Sequence, residues 1–268
     1  MAPVLTQNYP VAPAVQALKG TLLDAASVSD GIEWLDENGL FESYNCMRFE
    51  GTAEFCAPNN KDFDQAAGWV DGFRFAAYGG VSCAAIGLDQ PKMLSSVREV
   101  FARGESTAVE RALMATRFAA DPTARWAAAP DLTPAGGAVD PKVGFAILEG
   151  YAASVYVGAP TLHVPRSIAA LLLTTDGLVE DGNLLRTKMG AKVAAGAGYD
   201  YPNLGPTGAQ AAAGEKWLYA TGEVMVRRGP AEVRQAMAHT DNEVYVLGER
   251  GYVVAVDCFT AAVRVTLA

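Results

Sequence analysis

The sequence predicts an α+β chain, and three observations carry that reading. The longest helix signal runs from Asp89 through Ala112, strand-like alternation occurs on both sides of it, and two early stretches read as extended arms. With 268 residues, half of them hydrophobic, the chain can bury a real core but is long for one simple domain, so two packed subdomains are expected.

Residues 1–30 mix Pro3, Pro10 and Pro13 with small apolar residues and one short helical spacing at Val15, Leu18, Leu22 and Leu23. This reads as an extended arm, whose ordering costs entropy that few intrachain contacts offset. Residues 31–85 turn aromatic and alternating over Trp34 to Phe41, Cys46 to Phe55 and Trp69 to Tyr78, broken by the turn-rich run from Ala57 to Asp62. They read as a long two-stranded arm with a polar tip. A hairpin of that length is marginal alone and needs a surface to lie on, another subunit being the natural one.

Asp89, Gln90 and Pro91 open the long helix, with Leu94, Val97, Phe101, Ala108 and Ala112 at helical spacing; Gly104 is expected to bend or restart it. Residues 121–137 read as a linker. Asp140 then caps a second helix with Pro141 at its first position and Val143, Ile147, Leu148, Tyr151 and Val155 on its buried side. A compact α/β unit follows: a strand at Thr161 to Val164, a helix from Pro165 to about Thr174, and short strands at Leu184 to Thr187 and Lys192 to Ala195. Two strands hinged near Gly222, over Trp217 to Arg228, close the unit. The intervening residues 196–214 are so rich in Gly, Ala and Pro that no regular structure is expected there. Glu243 to Leu267 alternates as strands that must rejoin a sheet.

A net charge of -9 argues against sequence-independent wrapping of nucleic acid, which needs clustered Lys and Arg. An acidic wall would instead not adhere to packed DNA. Neither a secretory leader pattern nor an 18-residue apolar run occurs, so a cytosolic protein that does not enter membranes is expected. Cys46, Cys56, Cys83 and Cys258 form no C-x-x-C pair; free buried thiols are expected, with Cys46 and Cys56 the pair close enough in sequence to bridge under oxidising conditions.

Five stretches in order bring a family into view. They are ESTAVERAL from Glu105, GNLLRTKMG from Gly182, VAAGAGY from Val193, WLYATGEVMVR from Trp217 and VYVLGERGYVVAV from Val244. Together with the succession of arm, β-arm, long helix, α/β unit and returning strands, they resemble the major capsid protein of tailed bacteriophages, the Hong Kong 97-like coat fold, of the actinobacteriophage siphovirus type. The resemblance implies an N-terminal arm at 1–30, an extended E-loop at 31–85 and a P-domain with spine helix at 86–140. It further implies an A-domain at 141–235, with the loop 196–214 near the capsomer axis, and C-terminal strands at 236–268 returning to the P-domain.

Functionally it implies a structural protein that assembles with itself, as hexamers and pentamers, into an icosahedral head enclosing double-stranded DNA without sequence-specific binding. Scaffolding, portal and decoration proteins are the implied partners, the virion the implied location and the bacterial cytoplasm the place of assembly. Trp34, Phe41, Phe55, Trp69 and Phe73 are the candidate inter-subunit contacts, though some must pack the hairpin itself. Two features depart from the pattern. No charged helical scaffolding segment precedes the arm, so scaffolding is expected to be a separate protein unless the short arm suffices. The loop-lysine to asparagine cross-link of some relatives finds only the weak pairing of Lys61 with Asn242, without an identifiable catalytic acid.

The competing chemical readings lack support. No G-x-S-x-G, H-E-x-x-H or Walker A pattern occurs, so no catalytic residue is assigned and the protein is read as a non-enzyme. His163 lies inside an apolar strand and reads as a packed, hydrogen-bonded histidine; His239 completes the histidine inventory. Gly196 and Gly198 suggest a dinucleotide loop only superficially, since Pro202 and Pro206 forbid the following helix; a flexible loop is expected and no cofactor. Asp62, Asp64, Glu180 and Asp181 fit exposed turns, and no metal is expected. An encapsulin-like compartment shell remains the alternative function. An α/β enzyme with a mobile lid at 196–214 is a remoter one.

Overall fold

The computed structural model describes residues 16–31, 40–43, 68–84, 90–114, 129–156, 158–238, 240 and 243–267. Two sheets organise them. The first is centred on β12 (Glu243–Val256), a 14-residue strand. Along one edge it pairs with β4 (Phe73–Ala84), antiparallel, from Phe73 opposite Val254 to Ala84 opposite Glu243. Along the other it pairs in succession with β10 (Val224–Arg228) and β11 (Glu232–Ala238). Outside β10 lies β1 (Ser27–Asp30), in parallel, preceded by the one-turn helix α1 (Leu22–Ala25).

Helix α2 (Gln90–Met114) packs on this sheet through Val97, Phe101, Val109 and Leu113. It runs unbroken through Gly104, where a bend was expected. A single glycine costs only about 1 kcal/mol in a helix of this length, and packing against the sheet offsets it. Gly248 lets the helix come close, because a Cβ there would stand 3.2 Å from Val97 Cγ1.

The second sheet has the order β13 (Thr260–Thr266), β9 (Glu215–Thr221), β5 (Thr161–His163), β8 (Lys192–Ala194), β7 (Leu184–Arg186) and β6 (Val179–Asp181). Helices α3 (Pro141–Val155) and α4 (Arg166–Thr174) cover it. Leu148, Leu162, Ile168, Leu218 and Val263 are fully enclosed there, each stabilising the unit by roughly 2 kcal/mol. Asp140 caps α3 by accepting from Lys142 N, as its position predicted. The buried stripe of α3, however, is Pro141, Gly144, Phe145, Leu148 and Ala152, while Val143 is exposed. The reason is steric: a Cβ at Gly144 would meet Val265 Cγ1 at 2.5 Å, so the small residue faces the sheet and turns the larger ones aside.

The division between sheets differs from the expected 235/236 boundary. β10 and β11 belong to the first sheet, and of the last two strands β12 joins the first while β13 pairs with β9 in the second. The chain crosses between sheets twice at one place, at Gly222–Glu223 and at Asp257–Cys258. Asp257 N donates to Glu223 O (2.9 Å) and Gly222 N to Phe259 O (3.4 Å), and Cys258 takes a positive φ of 52°. Here Gly222 is required, since a Cβ would stand 2.5 Å from Asp257 O. Cys258 is disulfide-bonded, against the expectation of free thiols.

Residues 196–214 also depart from expectation. The segment opens with a 3₁₀ turn (Ala197–Tyr199) and buries Tyr199, Asn203 and Leu204. The Asn203 amide donates to Tyr199 O and Trp217 O (both 3.0 Å) and accepts from Trp217 N (2.7 Å), while Tyr219 Oη donates to Leu204 O (2.6 Å). Composition predicted looseness, but one asparagine satisfies three backbone groups at once and pins the loop. The hold covers the first half of the segment; residues 207, 209, 210 and 212–214 are exposed.

Candidate functional site

Sequence reasoning placed the functional residues on the β-arm. Trp34 and Phe55 lie outside the described residues, as do Cys46, Cys56, Lys61, His239 and Asn242. β2 (Leu40–Ser43) and β3 (Gly68–Asp71) form the described base of the arm, antiparallel, with Ser43 opposite Gly68 and Glu42 opposite Trp69. Phe41 is 5% exposed; it packs on Val253 and Ala255 of the first sheet, and the Arg227 guanidinium sits 4.5 Å over its ring. Phe73 is half-buried beside Phe75, whose ring stacks on Tyr252 at 5.3 Å. Phe41 and Phe73 therefore root the arm in its own subunit. Beyond β3, the continuing chain forms β4 in the first sheet, so the expected free arm ends at residue 72.

The exposed apolar surface lies elsewhere. Between β4 and α2 runs a groove of about 290 Å³. Its sides include Tyr78, Val81, Val97, Val100 and Phe101, of which Tyr78 is 78% and Val100 62% exposed. At its floor Glu105 accepts from Arg250 Nη1 and Tyr252 Oη (both 2.5 Å) and from Arg228 Nη1 (3.4 Å). Arg228 also reaches Asp30 of β1 at 2.5 Å, and this pairing raises its pKa further. The network ties α2 to β12, β10 and β1. Among the described residues, the outer edge of β4 pairs with no strand.

His163 is 1% exposed, with Nδ1 2.9 Å from Tyr199 Oη and Nε2 2.9 Å from Thr221 Oγ1. Burial lowers its pKa to about 3. The group is a neutral structural bridge, as its strand position suggested. A depressed folded pKa means that its stabilising contribution is complete above the unfolded value near 6.5 and is lost as pH falls through the interval toward 3. Denaturant titrations should show roughly 3 kcal/mol less stability at about pH 4 than at pH 7 from this group. His163→Gln should remove that component; an unchanged pH slope in the variant contradicts the assignment.

Sequence reasoning missed Glu105, Arg228, Arg250 and Glu110. The signal for the glutamates was present: both stand beside the apolar positions of α2, at Val109 and Leu113, where a solvated charge does not belong. What no single sequence supplies is the partner, which for Glu110 lies 88 residues away at Leu22 and at Gly198.

No protein-family model matches the sequence, and no curated protein matches it. Solved structures do. A structure from Gordonia phage Cozz matches 98% of this chain and 91% of that one, at 14% identity and a TM-score of 0.58. The capsid of Ralstonia phage GP4 matches 98% and 96%, at 10% identity and a TM-score of 0.53. The chain has the Hong Kong 97-like capsid fold. An encapsulin shares this Hong Kong 97-like fold: the holo-SrpI complex of Synechococcus elongatus PCC 7942 matches 96% of this chain and 94% of that one, at 11% identity and a TM-score of 0.52.

Proposed function

We propose that this protein is a major capsid protein that assembles with copies of itself into an icosahedral head around phage DNA, and that it is not an enzyme. The observation that carries this reading is the fold match across nearly the whole chain to a phage capsid. The described surface supports it. An apolar groove and a long open strand edge are liabilities on a solitary chain, and closure of a shell covers both. Burial at roughly 25 cal/mol per Å² over interfaces of thousands of Å² exceeds the association cost, and repetition turns weak contacts into a stable particle.

In this reading the β-arm and the part of the N-terminal arm before residue 19 embrace neighbouring subunits, whereas residues 19–30 pack on their own subunit; Trp34, Phe55 and Trp69 supply contacts, and Phe41 and Phe73 hold the β-arm at its base. The long helix with the first sheet forms the P-domain, and the second sheet forms most of the A-domain. Scaffolding, portal and decoration proteins are further partners, met in the host cytoplasm. The encapsulin-like reading shares the fold, and the acidic balance of -9 suits either content.

Electron microscopy and light scattering of the purified protein test the proposal. Closed shells or ring-shaped capsomers are the expected result. A monodisperse single chain at high concentration, with its arms protected from protease, overturns it. Particles from infected cells that hold protein cargo and no DNA select the encapsulin reading.

A further inference from the structure

Residues 19–25 form a strap across the two sheets. On the side of the second sheet, Gly20 N donates to Asn183 O (2.7 Å), Ala195 N donates to Gly20 O (2.6 Å) and Arg166 Nη1 donates to Lys19 O (2.7 Å). On the side of α2, Leu22 N donates to Glu110 Oε1 (3.0 Å) and Leu23 N to Ser106 Oγ (3.4 Å). Glu110 is 0% exposed, and its Oε2 accepts from Gly198 N at 2.9 Å while Ser106 Oγ donates to Oε1 at 3.2 Å. One enclosed carboxylate thus gathers donors from the strap, the helix and the loop at 198. Both glycines of that loop are shaped around it: a Cβ on Gly196 would coincide with the Glu110 carboxyl, and one on Gly198 would stand 2.7 Å from Thr107 O.

We propose that Glu110 is the positioning residue of the N-terminal strap, and that a proton bound at its Oε1 releases the strap at Leu22 and Leu23 while the loop stays attached at Gly198. The asymmetry follows from the donors. A proton on Oε2 would meet the Gly198 N–H head-on, and a backbone N–H cannot reverse. A proton on Oε1 can point at Ser106 Oγ, since a hydroxyl turns from donor to acceptor. Oε1 is then a poor acceptor for Leu22 N–H, and Ser106 Oγ is engaged by the new proton, so the two strap bonds weaken together.

The charged and titratable groups around Glu110 are few. Arg166, from α4, favours the carboxylate; the Tyr199 phenol is held neutral by burial; Arg111 on α2 points outward. Asp24 of the strap is engaged by Thr21, and Asp200 by Arg166 N and Ser167. Behind Tyr199 stands neutral His163, and Glu105 one turn earlier on α2 is held by Arg250 and Tyr252. Burial raises the Glu110 pKa above its ordinary 4.5, whereas the Leu22 and Gly198 bonds lower it. By reciprocity, a bond that opposes protonation is weakened by it. Because the folded pKa is raised, the carboxylate takes up its proton on the acidic descent before an ordinary glutamate would.

This inference is independent of the shell reading and fails separately from it. Hydrogen exchange of the full-length protein, corrected for the intrinsic pH dependence of exchange, tests it on peptides spanning 18–26 and 196–201. On acidification from about pH 7.5 into the ordinary glutamate range the strap peptide should exchange about tenfold faster while the loop peptide keeps its protection. Glu110→Gln, which can present an N–H to Ser106 and its oxygen to Gly198, should show the open strap already at neutral pH and no further change on acidification. A flat pH response of the wild-type strap, loss of both peptides together, or a neutral-pH Glu110→Gln strap as protected as wild type each overturns the proposal. Should Glu110→Gln not fold, the wild-type pH series decides by itself.

Discussion

Replacing residues 44–67 by an Asn-Gly turn is expected to leave a folded chain that no longer closes shells. Ser43 and Gly68 are direct cross-strand partners, so a two-residue turn joins them without disturbing the β2–β3 ladder. Phe41 keeps its seat on Val253 and Ala255, and both sheets retain all their described pairings. What is lost is the part of the arm beyond its base, with Cys46, Phe55, Cys56 and the polar turn at its tip, so Cys258→Ser in the full chain serves as the control for loss of the Cys258 disulfide. In the proposed assembly that segment is what a neighbour would hold, so its loss should shift the product from particles to soluble single chains or small rings. Sedimentation and electron microscopy read the outcome, with circular dichroism to verify the fold. Normal particles from this variant contradict the role assigned to the arm.

Gly198→Ala is expected to destabilise the fold by about 3 kcal/mol or more, among the largest effects of any single methyl group in this chain. The added Cβ would stand 2.7 Å from Thr107 O and 2.8 Å from Arg111 N, both backbone atoms of α2 that cannot move without shifting the helix. Relief by moving the loop instead breaks the Gly198 N to Glu110 Oε2 bond and leaves an enclosed carboxylate short of a donor. Gly182→Ala serves as a comparison: no atom lies within 4 Å of its Cβ position, so the strain there is confined to its positive φ of 66° and costs about 1 kcal/mol. Denaturant midpoints compare the two. Equal small losses at both sites contradict the tight helix–loop contact.

The large elements were legible in the sequence because their signals are local. Helical spacing from Leu94 to Ala112 marks α2, Asp140 with Pro141 marks the start of α3, and alternation over Val244 to Cys258 marks β12. His163 was read as a bridged strand residue from its apolar neighbours, and its two hydrogen bonds bear this out. Local signals misled where a distant partner decides. Gly104 does not break α2 because the sheet beneath supports it, and Asn203 orders a loop whose composition predicts none. On α3 the sequence favours the larger apolar residues for the core, yet close approach of β13 selects Gly144.

By itself the sequence determined the class and the order of the described helices and strands, since each rests on composition or on spacing within one segment. Only the tertiary structure decided which strands share a sheet, where the chain crosses between sheets, and that Glu110 joins strap, helix and loop. Those facts depend on contacts between residues far apart in the chain, and hydrophobic periodicity carries no information about which distant segment fills the other side.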